Sequence, residues 1–370
     1  MITSRGALRI CVIIPSLGDG GAQRQCIALL NELQDHPQLE MHLILLAEGE
    51  HEWRLRRSNL TIHRVSVQNF ASYRALAFVA RVLSRTRPDI AMSWLHPADL
   101  LTSLAKHVVP STKWVMTERD SAYPHQLKYR LRTLLGRRAD LTIANSQAGA
   151  RYWRSHAPFG EVKVIENIVL VDRNHVERDP VTDTVLYVGR LEPQKNCELL
   201  LRGFAEFAAQ HPKAKLRIVG RGSQEELLRQ LAGELGVTRR VEFVGFVKDV
   251  QREMNVARVL ATTSQHEGMP NVMLEAIATG LPILASDIPE HRAILGPAYE
   301  HFVSREATPD EVAAQMSAVW ADVSAVDRLA FARSAIENMT PAAIGERYAM
   351  AFQKLVERSL TTSQVEVSNT

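Results

Sequence analysis

VLYVGRLEPQKNCELLLRGFAEFAA, residues 185–209, opens on a short apolar run, turns at Gly189-Arg190 and passes into a stretch with helical spacing. A buried strand followed at once by an amphipathic helix is one βα unit of a parallel sheet. The alternation continues on both sides of it. Upstream, Leu8–Ile14, Met41–Leu46, Thr61–Val65, Ile90–Trp94, Lys113–Thr117 and Leu141–Ala144 read as strands. Gly21–Gln34, Ser72–Arg85, Pro97–His107 and Gln126–Arg137 between them read as helices. Downstream, Leu216–Val219, Val241–Val244, Val259–Thr262 and Pro282–Ala285 extend the second series of strands. The expected fold class is α/β, with right-handed parallel crossovers.

The 370 residues exceed one ordinary core and suit two domains. Between the two series, Asp172–Asp183 is polar, contains a proline and has no apolar period, so it reads as a linker. The expected layout is a first domain over 1–172, a second over 173–340, a C-terminal helix over 341–360 that returns to the first domain, and a disordered polar tail over 361–370. Two doubly wound, Rossmann-like domains would face each other across a cleft that takes the ligand.

Hydrophobic residues make up 46%, charged residues 23% and aromatics 6%, the profile of a soluble globular chain. No apolar run reaches the roughly 18 residues of a membrane-spanning helix. The start lacks the apolar core of a secretory signal, so the expected location is the cytoplasm. Cys11, Cys26 and Cys197 stand far apart and read as small core hydrophobes, without a disulfide or zinc framework. Residues 1–170 hold 22 Lys and Arg against 14 Asp and Glu, whereas the remainder holds 22 against 27. The first half alone is expected to meet an anionic surface.

Arg190 and Lys195 sit at the carboxyl end of a strand beside a helix start, where a guanidinium fork and an ammonium suit a diphosphate. A solvated basic loop is the alternative. His266-Glu267-Gly268-Met269-Pro270-Asn271 precedes a helix over Val272–Thr279 that Gly280 and Pro282 terminate. Asn271 then reads as its N-cap, and the loop before it faces a helix N-terminus. Glu267 and Glu275 could grip different hydroxyls of one ligand. Val219-Gly220-Arg221-Gly222 and Gly18-Asp19-Gly20-Gly21 are glycine turns without the spacing of a dinucleotide fingerprint, which argues against NAD or FAD.

Gly189-Arg190-Leu191 with Gln194-Lys195-Asn196, Val219-Gly220-x-Gly222, Phe243–Val250, and Glu267-Gly268-Met269-Pro270-Asn271 through Glu275-Ala276 resemble glycosyltransferase family 4. The resemblance covers nearly the whole chain and is strongest over 184–290. It implies the GT-B fold and transfer of a sugar, with retention of configuration, from a nucleotide diphosphate donor. It implies further that Arg190 and Lys195 neutralise the diphosphate, Glu275 holds the ribose, and Glu267 with Gly268, Met269, Pro270 and Asn271 holds the sugar. Gly220 and the segment Phe243, Val244 and onward would meet the nucleotide, the base mainly through main-chain contacts. Gly20 and Gly21 would face the phosphates. No Asp-x-Asp occurs, so no metal and no other cofactor is expected. The donor is expected to be a UDP-hexose or UDP-N-acetylhexosamine.

Many relatives carry a histidine after the strand that corresponds to Lys113–Thr117; here Glu118 or Arg119 stands there and becomes the candidate group near the anomeric carbon. His96, after Ile90–Trp94, is a candidate on the acceptor side, with a purely structural histidine as the alternative. Asn145-Ser146 is expected to cap the next helix. Residues 125–138, HQLKYRLRTLLGRR, hold five cations and no acid, which points to a basic amphipathic helix on an anionic membrane. Nucleic acid is not expected as a partner. A glycan or lipid-linked glycan in cell-surface polysaccharide or lipopolysaccharide synthesis is the expected acceptor. A nucleotide-sugar epimerase, a phosphorylase and a non-catalytic sugar-nucleotide binder are the competing readings.

Overall fold

The computed structural model describes residues 6–18, 20–70, 72–120, 126–156, 160–171 and 182–368, the last ten by backbone alone. It forms two compact units, Met1–Ile168 with Met339–Thr370, and Val169–Asn338. Most of the expected linker, Asp172–Asp183, lies outside the described residues.

The first unit holds seven parallel strands: β1 (Leu8–Ile14), β2 (Leu39–Leu45), β3 (Leu60–Arg64), β4 (Ile90–Ser93), β5 (Lys113–Glu118), β6 (Leu141–Ala144) and β7 (Glu161–Val164). Their order is β3-β2-β1-β4-β5-β6-β7, so the winding reverses between β1 and β4. Its first five helices are α1 (Gly21–Leu33), α2 (Tyr73–Thr86), α3 (His96–Ala105), α4 (Leu127–Gly136) and α5 (Gln147–His156). Strands such as β1, with its last five residues buried, read as continuous apolar runs because helices cover both faces. The Ser72 hydroxyl accepts from the Ala75 N–H and starts α2. Ser146 does the same for Gly149 ahead of α5, as expected of Asn145-Ser146.

The second unit holds β8 (Thr184–Val188), β9 (Lys215–Val219), β10 (Val241–Gly245), β11 (Val259–Thr262), β12 (Ile283–Ser286) and β13 (Phe302–Val303) in the order β10-β9-β8-β11-β12-β13. Here the winding reverses between β8 and β11. The helices are α6 (Cys197–Gln210), α7 (Glu225–Glu234), α8 (Val250–Val256), α9 (Asn271–Thr279), α10 (Pro289–Leu295), α11 (Pro309–Ala321) and α12 (Ala330–Ile336). A capping box between Thr308 and Glu311, with Pro309 in the first turn, fixes the start of α11. One core runs from Val185 and Tyr187 through Phe204 and Phe207 to Val312 and Met316.

The last helix, α13 (Pro341–Ser368), belongs to the first unit. Its Arg347 pairs with Glu166 at 2.5 Å and its Gln353 donates to Gln38. It runs past the expected end at residue 360. After Gly345, which packs against Glu32, neither Gly nor Pro occurs to stop it. The three cysteines are free and buried, as expected. No helix among the described residues is long and apolar enough to cross a membrane.

Candidate active site

The winding reverses between β8 and β11, and the carboxyl ends of strands at such a reversal are the usual ligand position in doubly wound sheets. The loop after β8 carries Arg190 and Lys195; the loop after β11 carries Glu267. Four hydrogen bonds tie them together. The Gln265 N–H donates to the Gln194 carbonyl (2.8 Å) and the Gln194 side chain donates to the His266 carbonyl (2.8 Å). The Thr263 hydroxyl reaches the carbonyls of Asn196 (2.8 Å) and Lys195 (3.3 Å). Lys195 Nζ thereby comes to 2.5 Å from Glu267 Oε1.

Burial alone would push the Glu267 carboxyl up, but the Lys195 charge and a Ser264 hydroxyl outweigh it and hold the group below its ordinary value. Arg190 is exposed, and its guanidinium makes no hydrogen bond or ion pair with the described residues. The buried Tyr187 hydroxyl donates to the Arg190 carbonyl (2.9 Å) and fixes that turn. Both the Glu267 and the Arg190 charges act on it.

The neighbouring strand ends close around the same place. Gly189 N–H donates to Val219 and Gly220 N–H to Gly245, at 2.9 and 2.8 Å. A Cβ on Gly220 would lie 1.9 Å from the Gly189 carbonyl oxygen, and its φ of +134° also excludes other residues. Phe243 is packed against the core beneath the Arg229 guanidinium (4.5 Å), so its ring is not offered to a ligand. Main-chain groups of 243–246 are what remains.

Glu275 lies in the second turn of α9 and is buried. Gly280 ends that helix at φ +69°, the expected left-handed cap. Asn271 is not the N-cap: Pro270 occupies that place and Asn271 is the first helical residue. Proline, with its fixed extended conformation, makes the boundary one residue earlier.

In the first unit the structure reassigns two candidates. Glu118 is 1% exposed, and its oxygens accept from Arg132 and Trp153 (both 2.6 Å) and from the N–H groups of Arg119 (2.8 Å) and Asp120 (2.9 Å). With four donors satisfied, it cannot serve near an anomeric carbon. Arg119 stacks on Trp94 (3.9 Å) and donates to Asn167 (3.0 Å) and Tyr348 (2.6 Å). It clamps the end of β5 to the chain leaving the unit and to α13. His96 donates through Nε2 to the Lys128 carbonyl (2.7 Å) and packs edge-on against Tyr129, which braces α4. It follows Leu95, held at φ +75°, a conformation that costs roughly 1–3 kcal/mol. Gly20 stands before α1 in extended backbone and Gly21 begins the helix; Asp19 between the turn's glycines lies outside the described residues.

Sequence reasoning missed His291, Ser264 and Ser286, which lie behind Glu267. A buried Ser at a strand end, or a buried His in a short helix, carries no pattern that separates it from a surface one. Among the described residues, no group of three His, Cys, Asp or Glu side chains could hold a metal ion.

Two family models match the chain and together span residues 19–333: Glycosyltransferase Family 4 over 19–173 and Glycosyl transferases group 1 over 171–333. A lipopolysaccharide core biosynthesis glycosyltransferase, LpsE of Rhizobium meliloti, is 26% identical, covering 72% of this chain and 76% of that protein. A Campylobacter jejuni N-acetylgalactosaminyltransferase acting on a diphospho-undecaprenol substrate is 24% identical, covering 75% and 80%. Among solved structures, Anabaena HepE in complex with UDP-glucose superposes with a TM-score of 0.81 at 21% identity, covering 94% of this chain and all of that one. The galactosyltransferase WaaB gives 0.67 at 20%, covering 94% and 99%. The chain belongs to glycosyltransferase family 4 and is a glycosyltransferase with the two parallel-sheet α/β domains of the GT-B fold.

Proposed function

We propose that the enzyme is a retaining, metal-independent transferase that passes a hexose or N-acetylhexosamine from a UDP-linked donor to a glycan or lipid-linked glycan in lipopolysaccharide or surface polysaccharide synthesis. The observation that carries this is the Lys195–Glu267 pair at the strand reversal, with the exposed Arg190 guanidinium close by. An ammonium has three donors and Lys195 spends one on Glu267. A diphosphate entering there takes up the rest, and Arg190 adds a fork.

In this reading Arg190 and Lys195 stabilise charge that develops on the departing diphosphate. Glu275 holds the ribose and Glu267, with the backbone of Gly268–Asn271, holds the sugar. The bond from the anomeric carbon to the phosphate oxygen breaks while the acceptor oxygen bonds on the same face. The acceptor's proton passes to the leaving phosphate oxygen. The names of LpsE and of the C. jejuni enzyme, and the UDP-glucose in HepE, support the choice of donor and acceptor class.

The acceptor side of the proposal rests on α4. Leu127, Leu131 and Leu134 recur at one helical face and are exposed, Leu127 by 79%. Lys128, Arg130, Arg137 and Arg138 are exposed around them, a composition suited to an anionic lipid surface. Arg132, counted among the five cations, is turned inward instead. His125 lies outside the described residues.

A thermal-shift screen of nucleotide sugars tests the donor site. A bound UDP-sugar at 100 times its Kd adds about 2.7 kcal/mol and raises the melting temperature. A screen in which no nucleotide sugar moves it sinks the reading.

A further inference from the structure

His291, on α10, is fully buried and lies within electrostatic reach of both Glu267 and Lys195. Its Nδ1 is 2.9 Å from the Ser286 carbonyl oxygen and 3.2 Å from the Ser286 hydroxyl. A carbonyl only accepts, so Nδ1 carries the proton and Nε2 is a bare lone pair. That Nε2 is buried and has no hydrogen-bond partner among the described residues. An unmade bond at a buried polar atom is costly, and such atoms in folded proteins call for an explanation.

The bonds run on from there toward the charge pair. The Ser286 hydroxyl donates to the Ser264 carbonyl at 2.6 Å, joining the end of β12 to the residue from which the Glu267 loop departs. The Ser264 hydroxyl in turn supports the Glu267 carboxylate. One imidazole thus orients one serine, which fixes the carbonyl of a second serine, which holds the acid. Burial keeps the imidazole uncharged down to a pKa of about 4, so it adds no third charge beside Lys195 and Glu267 near neutral pH.

We propose that His291 is a positioning residue for Glu267, acting through Ser286 and Ser264 to hold the carboxylate against Lys195. The kinetic consequence rests on the donor-site reading above; the structural consequence does not. His291 touches no reacting group in this scheme. Its Nδ1–H sets the geometry of Ser286.

The test uses the full chain and three variants. His291→Leu fills the space without a donor, His291→Asn keeps a donor near the Nδ1 position, and Ser286→Ala cuts the same relay one step on. A carbon-13 titration of the Glu267 carboxyl, assigned by its loss in Glu267→Gln, reads the result without any ligand. The carboxyl should titrate about one unit higher in His291→Leu and Ser286→Ala and return close to the wild-type value in His291→Asn. If His291→Leu fails to fold, Ser286→Ala and His291→Asn decide on their own. An unmoved titration in the variants that cut the relay overturns the proposal.

Turnover of the donor supplies a second reading. His291→Leu should lower kcat roughly tenfold in the wild type and less than twofold beside Glu267→Gln, because partners in one network are not additive. Equal losses in both backgrounds mark a merely structural histidine and overturn the proposal. A wild-type chain that binds no nucleotide sugar defeats the donor-site reading, while the titration still decides the role of His291.

Discussion

Arg132 in the first unit and Lys195 in the second are both cations held against carboxylates near the ends of parallel strands. Arg132 donates to Asp99 (2.7 Å), to Glu118 (2.6 Å) and to the Thr117 carbonyl (3.1 Å), and Asp99 also accepts from Ser93 at 2.5 Å. Its guanidinium and both acids are almost wholly buried. Lys195 has one acid, keeps 17% of its side chain exposed and stands near an exposed Arg190. The first cluster is a closed account of donors and acceptors and works as a structural knot. The second has capacity left for a ligand. Position at a strand end is common to both; unspent hydrogen-bonding capacity is what separates a site from a strut.

The largest effect that could break this contrast is on stability. Arg132→Met strands two carboxylates in the core of the first unit and should cost about 3–5 kcal/mol in urea denaturation. Lys195→Met should cost less, about 1–3 kcal/mol, since it leaves one buried carboxylate where Arg132→Met leaves two, and Glu267 keeps Ser264. Its loss should fall on turnover instead, by roughly 10²–10³-fold, as for removal of one charge stabiliser. If Lys195→Met unfolds the chain as readily as Arg132→Met, or leaves turnover intact, the distinction between knot and site fails.

A smaller effect follows from acid. Glu267 is held below its ordinary value of 4.5, whereas burial, working against Arg132, pushes Asp99 above its ordinary 3.8. A lowered carboxyl contributes stability above its unfolded value and loses it as the pH falls through the folded one. A raised carboxyl does the reverse: its contribution is complete below the unfolded value and is lost as the pH rises through the folded one. Acidification below about pH 4.5 should therefore weaken the Glu267 loop first. Hydrogen exchange of residues 263–275 should accelerate before that of β4 and β5, and Glu267→Gln should flatten the difference. Simultaneous loosening of both regions would contradict the assigned directions.

Much of the fold was legible because buried parallel strands announce themselves as apolar runs between turns. The edge strands β7 and β13 were not. Glu161–Val164 has only half-buried residues and Phe302–Val303 is two residues long, so neither offers a period to count. The donor loops were legible because glycines, a cation pair and two acids at strand ends form a pattern. Glu118 shows the limit of such patterns. Its place in the chain matches a site position, yet Arg132 and Trp153, fourteen and thirty-five residues away, decide that its carboxylate points inward. The same holds for Arg119, whose partners Asn167 and Tyr348 come from distant segments. His291 was invisible for the opposite reason: its work lies in bonds to a backbone carbonyl, which any residue could supply.

The smallest effect concerns α4, where inward and outward charges share one helix. Arg132 is spent in the core and Arg137 gives its Nε–H to the His156 carbonyl (2.9 Å), so the exposed Lys128, Arg130 and Arg138 are the ones best placed to meet lipid phosphates. Each is worth about 1 kcal/mol near an anionic surface, and the exposed leucines add an apolar face to bury. Recovery with anionic vesicles in a flotation assay should exceed that with neutral ones and fall as salt is raised. Lys128→Glu with Arg130→Glu should lower anionic recovery by more than tenfold while leaving the melting temperature within a few degrees, because neither side chain belongs to the Arg132 cluster. Equal recovery from neutral and anionic vesicles would make α4 an ordinary solvated helix. The outward charges would then be as structural, in their own way, as the inward one.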